Sequence, residues 1–175
     1  MNDFAKVTGP NTVRLERTFP GPIERLWSYL VEPDKRAQWF AGGPMQLAPG
    51  GEIRLYFQHK NLTDEPAPER YRKAAEGLES PGTITRCEPP NVLGFLWGAG
   101  GEASEVLFEL TRQGKDVRLV LTHSRLSGRD EMVEVGSGWH LHLLMLDDLL
   151  RDKPRRPFWA TQASLERQYD ERLPR

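Results

Sequence analysis

The chain has a single cysteine, no long hydrophobic run and almost no net charge, and each absence excludes a class of protein. One cysteine, Cys87, cannot form an internal disulfide, and its place in a strand-like run predicts a buried, unreactive thiol. No stretch of about 18 apolar residues occurs, so the sequence predicts no membrane insertion. Residues 1–10 lack the basic and then apolar pattern of a signal peptide. We therefore expect a cytoplasmic protein.

The charge balance excludes a strong global electrostatic field. The 24 Lys and Arg residues and the 25 Asp and Glu residues give a formal net charge of -1. Such a chain has no field to attract nucleic acid or an anionic membrane, and we expect neither as a partner. Its 175 residues match the usual size of one domain with a core that needs no disulfide or metal. We predict a single domain over residues 1–175.

The sequence also lacks residues with the spacing of a metal site or a catalytic centre. His140 and His142 are two residues apart in a predicted helix, which separates them by about 200° and prevents them from sharing a metal ion. Residues 136–138 (Gly-Ser-Gly) lack the spacing of a nucleophile elbow. The glycines at 98–101 precede a strand, not the helix N-terminus that a phosphate needs. We predict no metal, no cofactor and no catalytic residue.

Alternation of apolar and polar residues predicts six strands, and the turn residues between the later ones predict an antiparallel meander. The strands are expected at residues 13–19, 53–58, 83–87, 92–97, 104–111 and 116–124. Two short helices, over 23–31 and 34–39, are predicted between the first two strands. The evidence for them is a one-sided set of apolar residues and the flanking Pro22 and Pro33.

Three further segments complete the chain. Residues 59–81 are rich in proline and charge, which predicts an insertion that is either a mobile flap or a functional loop. The longest helix is predicted from the N-cap Ser127 to about Asp152. Residues 154–175 predict a helical tail that packs on its own domain or on a second subunit, which would make a homodimer. The apolar contacts of this tail are expected to be Phe158, Trp159, Leu165 and Tyr169.

The long helix has an apolar stripe that must lie on the sheet. The stripe is predicted to contain Met132, Val135, Trp139, Leu143, Leu146 and Leu150. His142 falls at its rim, whereas His140 is expected to point further outwards. Gly136 and Gly138 each cost the helix roughly 1 kcal/mol relative to alanine, so they indicate close packing on the sheet, a bend, or room for a ligand.

Six short sequence blocks occur in an order that resembles one known architecture. The first three are Pro22–Trp27 with Leu30, Pro33, Asp34 and Trp39, then Pro49–Arg54, then Gly82–Ile84 with Glu88–Pro90, Leu93 and Trp97. The last three are Val106 with Glu109–Leu110, then Gly114, Val117 and Leu119 with Thr122–His123, and finally Gly138–Trp139 with Leu143, Leu146 and Leu150. Over residues 13–150 this order resembles the START-like SRPBCC superfamily, and within it the branch named for the activator of the heat-shock protein ninety ATPase homologue. The resemblance implies an α+β helix-grip fold with a core over residues 13–152. In this fold a curved antiparallel sheet wraps around a long C-terminal helix, with two short helices between strands 1 and 2.

The resemblance also implies a cavity between the sheet and the long helix that holds a hydrophobic or amphipathic small molecule. The candidate lining residues are Trp39, Tyr56, Phe95, Trp97, Phe108, Leu119, His123, Trp139, His142 and Leu143. Aromatic side chains supply apolar area there, and Tyr56, His123 or His142 would orient a polar group. Phe57 is a further candidate, but it and Tyr56 point to opposite faces of one strand, so only one of them can line the cavity.

Two other functions stay open at this stage. One is a cyclase-like or aromatase-like enzyme that uses the same cavity, with His142 or His123 acting together with Tyr56. The other is a co-chaperone that stimulates a chaperone ATPase, or an interaction scaffold, as the name of the family branch implies.

Overall fold

The computed structural model describes residues 3–175, which form one curved antiparallel sheet and five α-helices. The strands are β1 Lys6–Gly9, β2 Thr12–Pro20, β3 Glu52–Phe57, β4 Leu78–Glu88, β5 Val92–Trp97, β6 Ser104–Gln113 and β7 Asp116–Ser124. Their order in the sheet is β1-β2-β7-β6-β5-β4-β3, and neighbouring strands are antiparallel. The six predicted strands are present. The short β1 was not predicted, because its residues are mostly exposed and show no apolar alternation.

The helices are α1 Ile23–Val31, α2 Pro33–Arg36, α3 Arg72–Ala75, α4 Arg129–Leu150 and α5 Phe158–Arg172. As predicted, α1 and α2 lie between the first two long strands. The long helix α4 packs on the inner face of the sheet, where its apolar residues join those of the strands in one core. This arrangement confirms the helix-grip fold. Within residues 3–175, no helix is both long and apolar enough to cross a membrane.

The long helix is buried on more than its sheet-facing stripe. Four residues of the predicted stripe are buried, namely Trp139, Leu143, Leu146 and Leu150. The helix begins at Arg129, and its cap position is occupied by Gly128, not by the predicted Ser127. The prediction that His140 points outwards was wrong. His140 is 5% exposed, and its Nδ1 lies 3.0 Å from the hydroxyl oxygen of Tyr169, because α5 covers this side of α4.

The C-terminal tail packs on its own domain through α5. Its predicted apolar contacts Phe158, Trp159, Leu165 and Tyr169 are all buried. The backbone N–H of Ala5 donates a hydrogen bond of 2.8 Å to the Tyr169 hydroxyl, which ties the N-terminal segment to the tail. A Cβ added at Gly136 would lie 3.0 Å from Cε1 of Tyr169. Gly136 therefore allows the close approach of α4 to α5, not to the sheet.

The insertion predicted over residues 59–81 is four residues shorter, because residues 78–81 pair with β3 as the start of β4. The insertion lies against α5. The ring of Tyr71 stacks on that of Trp159 with 5.2 Å between centroids, and the Tyr71 hydroxyl donates to the Glu166 carboxylate. Leu62 of the insertion is 2% exposed and belongs to the hydrophobic core. The insertion and the tail thus form one outer layer over the long helix.

Candidate functional site

A cavity of about 370 Å³ lies between one end of the sheet and the first half of α4, and we call it the aromatic cleft. Its lining consists of Phe40, Phe57, Trp97, Glu102, Ser104, His123, Glu131, Glu134, Val135, Gly138, Trp139 and His142. The strand residues meet there because β3, β5 and β7 end, and β6 begins, at the same end of the sheet. The volume falls in the range of small-molecule sites. Two larger grooves, of about 610 and 590 Å³, are lined mostly by charged side chains.

One wall of the cleft is a set of aromatic rings in mutual contact. The ring of Trp97 stacks with Phe57 from β3 and with His123 from β7, with 5.7 Å between centroids in each pair. Trp139 of α4 packs edge-on against Trp97 at 5.9 Å and lies 4.8 Å from the ring of Phe40. These contacts fix the rings in place, so the apolar wall is formed before any ligand arrives.

The protonation of His123 follows from its two hydrogen-bond partners. The indole N–H of Trp139 donates to Nδ1 of His123 at 3.0 Å, and Nε2 of His123 lies 2.7 Å from Oγ of Ser104. An indole nitrogen can only donate, so Nδ1 is the acceptor and the ring proton is on Nε2, from which it is donated to Ser104. Burial lowers the pKa of His123 to about 4, and the ring is neutral at pH 7.

This tautomer decides what the pair can do chemically. A histidine that activates a serine must accept the hydroxyl proton, but Nε2 of His123 already carries a proton. His123 is therefore not a general base for Ser104. Because Ser104 accepts the bond from His123, its own hydroxyl proton is available to a molecule in the cleft.

His142 presents the complementary group. Its Nδ1 lies 2.7 Å from the carbonyl oxygen of Trp39, and since a carbonyl only accepts, Nδ1 carries the proton. The other nitrogen, Nε2, is left as a hydrogen-bond acceptor without a partner among residues 3–175. Burial lowers the pKa of His142 to about 4, which keeps this acceptor unprotonated at neutral pH.

Gly138 gives the cleft its space on the helix side. A Cβ added there would meet no atom within 4 Å outside the helix backbone, in contrast to Gly136 two residues earlier. The two glycines of α4 thus have different roles. Gly136 permits close packing of α5, whereas Gly138 leaves room in the cleft.

The rim of the cleft is acidic. It carries the carboxylates of Glu102, Glu131 and Glu134, and no lysine or arginine is among the lining residues. None of the three carboxylates takes part in an ion pair with another described residue. Glu131 accepts a hydrogen bond from the backbone N–H of Ser127 at the start of α4.

The structure divides the candidate lining residues into groups. Four of the predicted residues line the aromatic cleft, namely Trp97, His123, Trp139 and His142. Four others are at most 3% exposed and lie deeper in the core, namely Trp39, Phe95, Phe108 and Leu119. The first three of these border a void of only about 10 Å³. Leu143 is fully buried one turn further along α4 and borders a different groove, beside β2.

Tyr56 does not line the cleft. It is 41% exposed on the outer face of β3, while its neighbour Phe57 points inwards to the cleft, as the alternation of a strand requires.

Two residues of the cleft, Ser104 and Phe40, were not predicted from the sequence. Ser104 shares the strand phase of the buried Val106 and Phe108, which could have revealed it, whereas Phe40 follows a short helix and has no periodic signal.

The described residues contain no cluster of three or more His, Cys, Asp or Glu side chains that could hold a metal ion.

The region that forms the cleft coincides with a known sequence family. The family model described as Activator of Hsp90 ATPase homolog 1-like protein matches residues 20–151, which include every lining residue. The chain belongs to this family. It is thereby a member of the SRPBCC superfamily, as the sequence blocks predicted. No curated protein matches the chain.

Solved structures share the fold. The protein encoded by gene BPP1335 of Bordetella parapertussis is 46% identical, with a TM-score of 0.82 over 98% of this chain and 93% of that one. CalU16 of Micromonospora echinospora is 24% identical, with a TM-score of 0.68 over 91% of this chain and 86% of its own. EF2215 of Enterococcus faecalis, described as a conserved protein of unknown function, is 21% identical, with a TM-score of 0.68 over 98% and 90%. The last two similarities concern the fold alone.

The buried histidines predict a loss of stability in mild acid. Burial is the main cause that lowers the pKa of His123, His140 and His142 to about 4 each. In the unfolded chain these groups take up protons near pH 6.5, so between pH 6.5 and 4 the unfolded state binds more protons and stability falls as the pH falls. We expect the free energy of unfolding to decrease by at least about 1.4 kcal/mol per pH unit in this window, the slope for one such group. Urea denaturation at a series of pH values would measure it, and a flat profile from pH 6.5 to 4.5 would contradict the buried, neutral state.

Proposed function

We propose that this chain binds a small molecule with an apolar body in the aromatic cleft. The observation that carries the proposal is the open space at Gly138, in a cleft that Trp97 and Trp139 also line. A glycine inside a long helix costs about 1 kcal/mol relative to alanine, and an added methyl group at this position would meet no atom. Internal packing does not account for this glycine, whereas a ligand that needs the space does.

The polar groups of the cleft suit a ligand with a small number of hydrogen-bonding atoms. Ser104 has a hydroxyl proton to donate, held in place by the chain of bonds from Trp139 through His123. His142 offers an unprotonated nitrogen that accepts. An apolar wall with a few fixed polar groups is the usual composition of a small-molecule site.

The geometry supports binding better than catalysis. The enzyme alternative paired Tyr56 with His142 or His123, but Tyr56 lies on the outer face of the sheet. His123 has the tautomer that donates to Ser104, so a serine nucleophile would lack its base. His142 is left as a single acceptor with no acid group paired to it, which fits orientation of a ligand more closely than proton transfer.

Titration with a neutral naphthalene-based fluorescent probe tests this proposal. We expect saturable binding near one site per chain, with a change in tryptophan emission, because Trp97 and Trp139 would contact the probe. The matched control is Tyr56→Ala, which removes an aromatic ring from the outer face and should leave the affinity unchanged. Absence of saturable binding to the folded protein, or equal binding to the urea-unfolded chain, would refute the proposal.

A further inference from the structure

The charged groups of the aromatic cleft all have one sign. Its rim carries Glu102, Glu131 and Glu134, while none of the chain's 24 lysines and arginines contributes to the lining. Since the chain as a whole is nearly neutral, this local excess of carboxylates is a property of the cleft and not of the composition. A low-dielectric wall beside the carboxylates concentrates their field at the opening.

We infer that the ligand of the aromatic cleft is an organic cation, an amine or quaternary ammonium group attached to an apolar body. This inference rests on the proposed function and specifies the class of molecule that the same site takes. Three features of the lining favour a cation, namely the carboxylates of the rim, the aromatic rings of the wall and the acceptor nitrogen of His142.

The aromatic wall favours a cation independently of the carboxylates. The negative face of an indole or phenyl ring attracts an ammonium group, with tryptophan the strongest of the aromatic residues. The lining contains Trp97 and Trp139 together with Phe40 and Phe57. Rings around a cleft are the usual means by which proteins recognise quaternary ammonium groups.

The histidines fit the same ligand. Both rings in the lining are neutral at pH 7, so neither His123 nor His142 offsets the charge of the rim. The free Nε2 of His142 can accept a hydrogen bond from a protonated amine. An anionic ligand would instead face three carboxylates with no lysine or arginine in the lining to neutralise it.

Three probes that share a naphthylmethyl group and carry a cationic, a neutral or an anionic substituent test the inference. They are naphthylmethyl-trimethylammonium, its neutral isostere with a tert-butyl group in place of the ammonium, and naphthylmethyl sulfonate. We expect the cation to bind at least about fivefold more tightly than the neutral isostere, from cation–π attraction and the rim charges. The sulfonate should bind more weakly than both. Added salt should reduce the preference for the cation, because Glu102 and Glu134 are exposed to solvent.

A double variant tests the contribution of the rim carboxylates. Glu102→Gln with Glu134→Gln should reduce the cation preference by about two- to threefold, since exposed charges each contribute modestly and the aromatic wall is unchanged. It leaves Glu131, which bonds to the start of α4, unchanged. The control is Glu76→Gln with Glu171→Gln, which removes two exposed carboxylates outside the lining and should leave the preference intact.

The outcomes separate the two proposals. If none of the three probes binds, the proposed function fails and the inference fails with it. If the neutral isostere or the sulfonate binds as tightly as the cation, binding stands and only the inference about charge is overturned. A cation preference that the rim variant leaves unchanged would also overturn it, because the carboxylates would then have no part in selection.

Discussion

Replacement of Trp139 by alanine is expected to lower the free energy of unfolding by about 3 to 5 kcal/mol. The side chain is 3% exposed, and its ring contacts Phe40, Trp97 and Phe108 as well as His123. Its removal would leave a cavity at the junction of α4 and the sheet and would also take the hydrogen-bond donor from Nδ1 of His123. Urea or thermal denaturation of the purified variant measures the change.

A conservative variant separates packing from hydrogen bonding at this position. Trp139→Phe keeps an aromatic ring in the wall but removes the indole N–H, so we expect a smaller loss than for alanine. Stability of Trp139→Ala within about 1 kcal/mol of the parent would contradict the position of this ring, since a fully buried tryptophan costs more than that when truncated.

Replacement of Gly138 by leucine is expected to weaken binding of the neutral naphthalene probe by at least about tenfold, because the new side chain would occupy the cleft. The fold should persist. An added Cβ meets no neighbouring atom there, and leucine favours the helix over glycine by up to about 1 kcal/mol. A loss of binding with stability maintained or raised would be the signature of a filled site.

The two glycines of α4 supply a matched control for this prediction. Gly138→Ala should raise stability by up to about 1 kcal/mol with a smaller effect on binding. Gly136→Ala makes the same chemical change two residues away but should destabilise the protein, because its Cβ would press on the ring of Tyr169 at 3.0 Å. Probe affinity that is unaffected by Gly138→Leu would contradict the position of the site.

The fold was predictable where local periodicity and turn chemistry agree. The bounds of α1, β5 and β7 follow directly from one-sided or alternating apolar residues between prolines, glycines and polar turns. The position of His140 was not predictable in this way. Its burial depends on α5, a separate helix whose approach to α4 is decided by tertiary contacts such as those of Tyr169 with Ala5 and Gly136.

The sequence predicts which side of the sheet each candidate residue faces, but not whether that residue lies in the cleft or in the packed core. The alternation of side chains along a strand correctly places Phe95, Trp97 and Phe108 on the inner side of the sheet. Alternation does not indicate at which residue of the strand the packed core ends and the cleft begins. Trp97 lies at the end of β5 beside the cleft, whereas Phe95 lies two residues back in the packed core. The bond from Trp139 to His123 could not be predicted either, because it joins residues on different elements whose separation only the fold determines.

The five tryptophans of the chain allow one direct measurement of where a ligand binds. Each indole N–H gives its own signal in a ¹⁵N–¹H NMR spectrum, and the naphthalene probe can be titrated against all of them at once. We predict that the signals of Trp97 and Trp139 shift together with the amide of Gly138 and saturate near one probe per chain. The signals of Trp27, Trp39 and Trp159, which do not line the aromatic cleft, should shift far less. Shifts that are confined to Trp27 or Trp159, or that spread over the whole spectrum without saturation, would contradict binding between the sheet and α4.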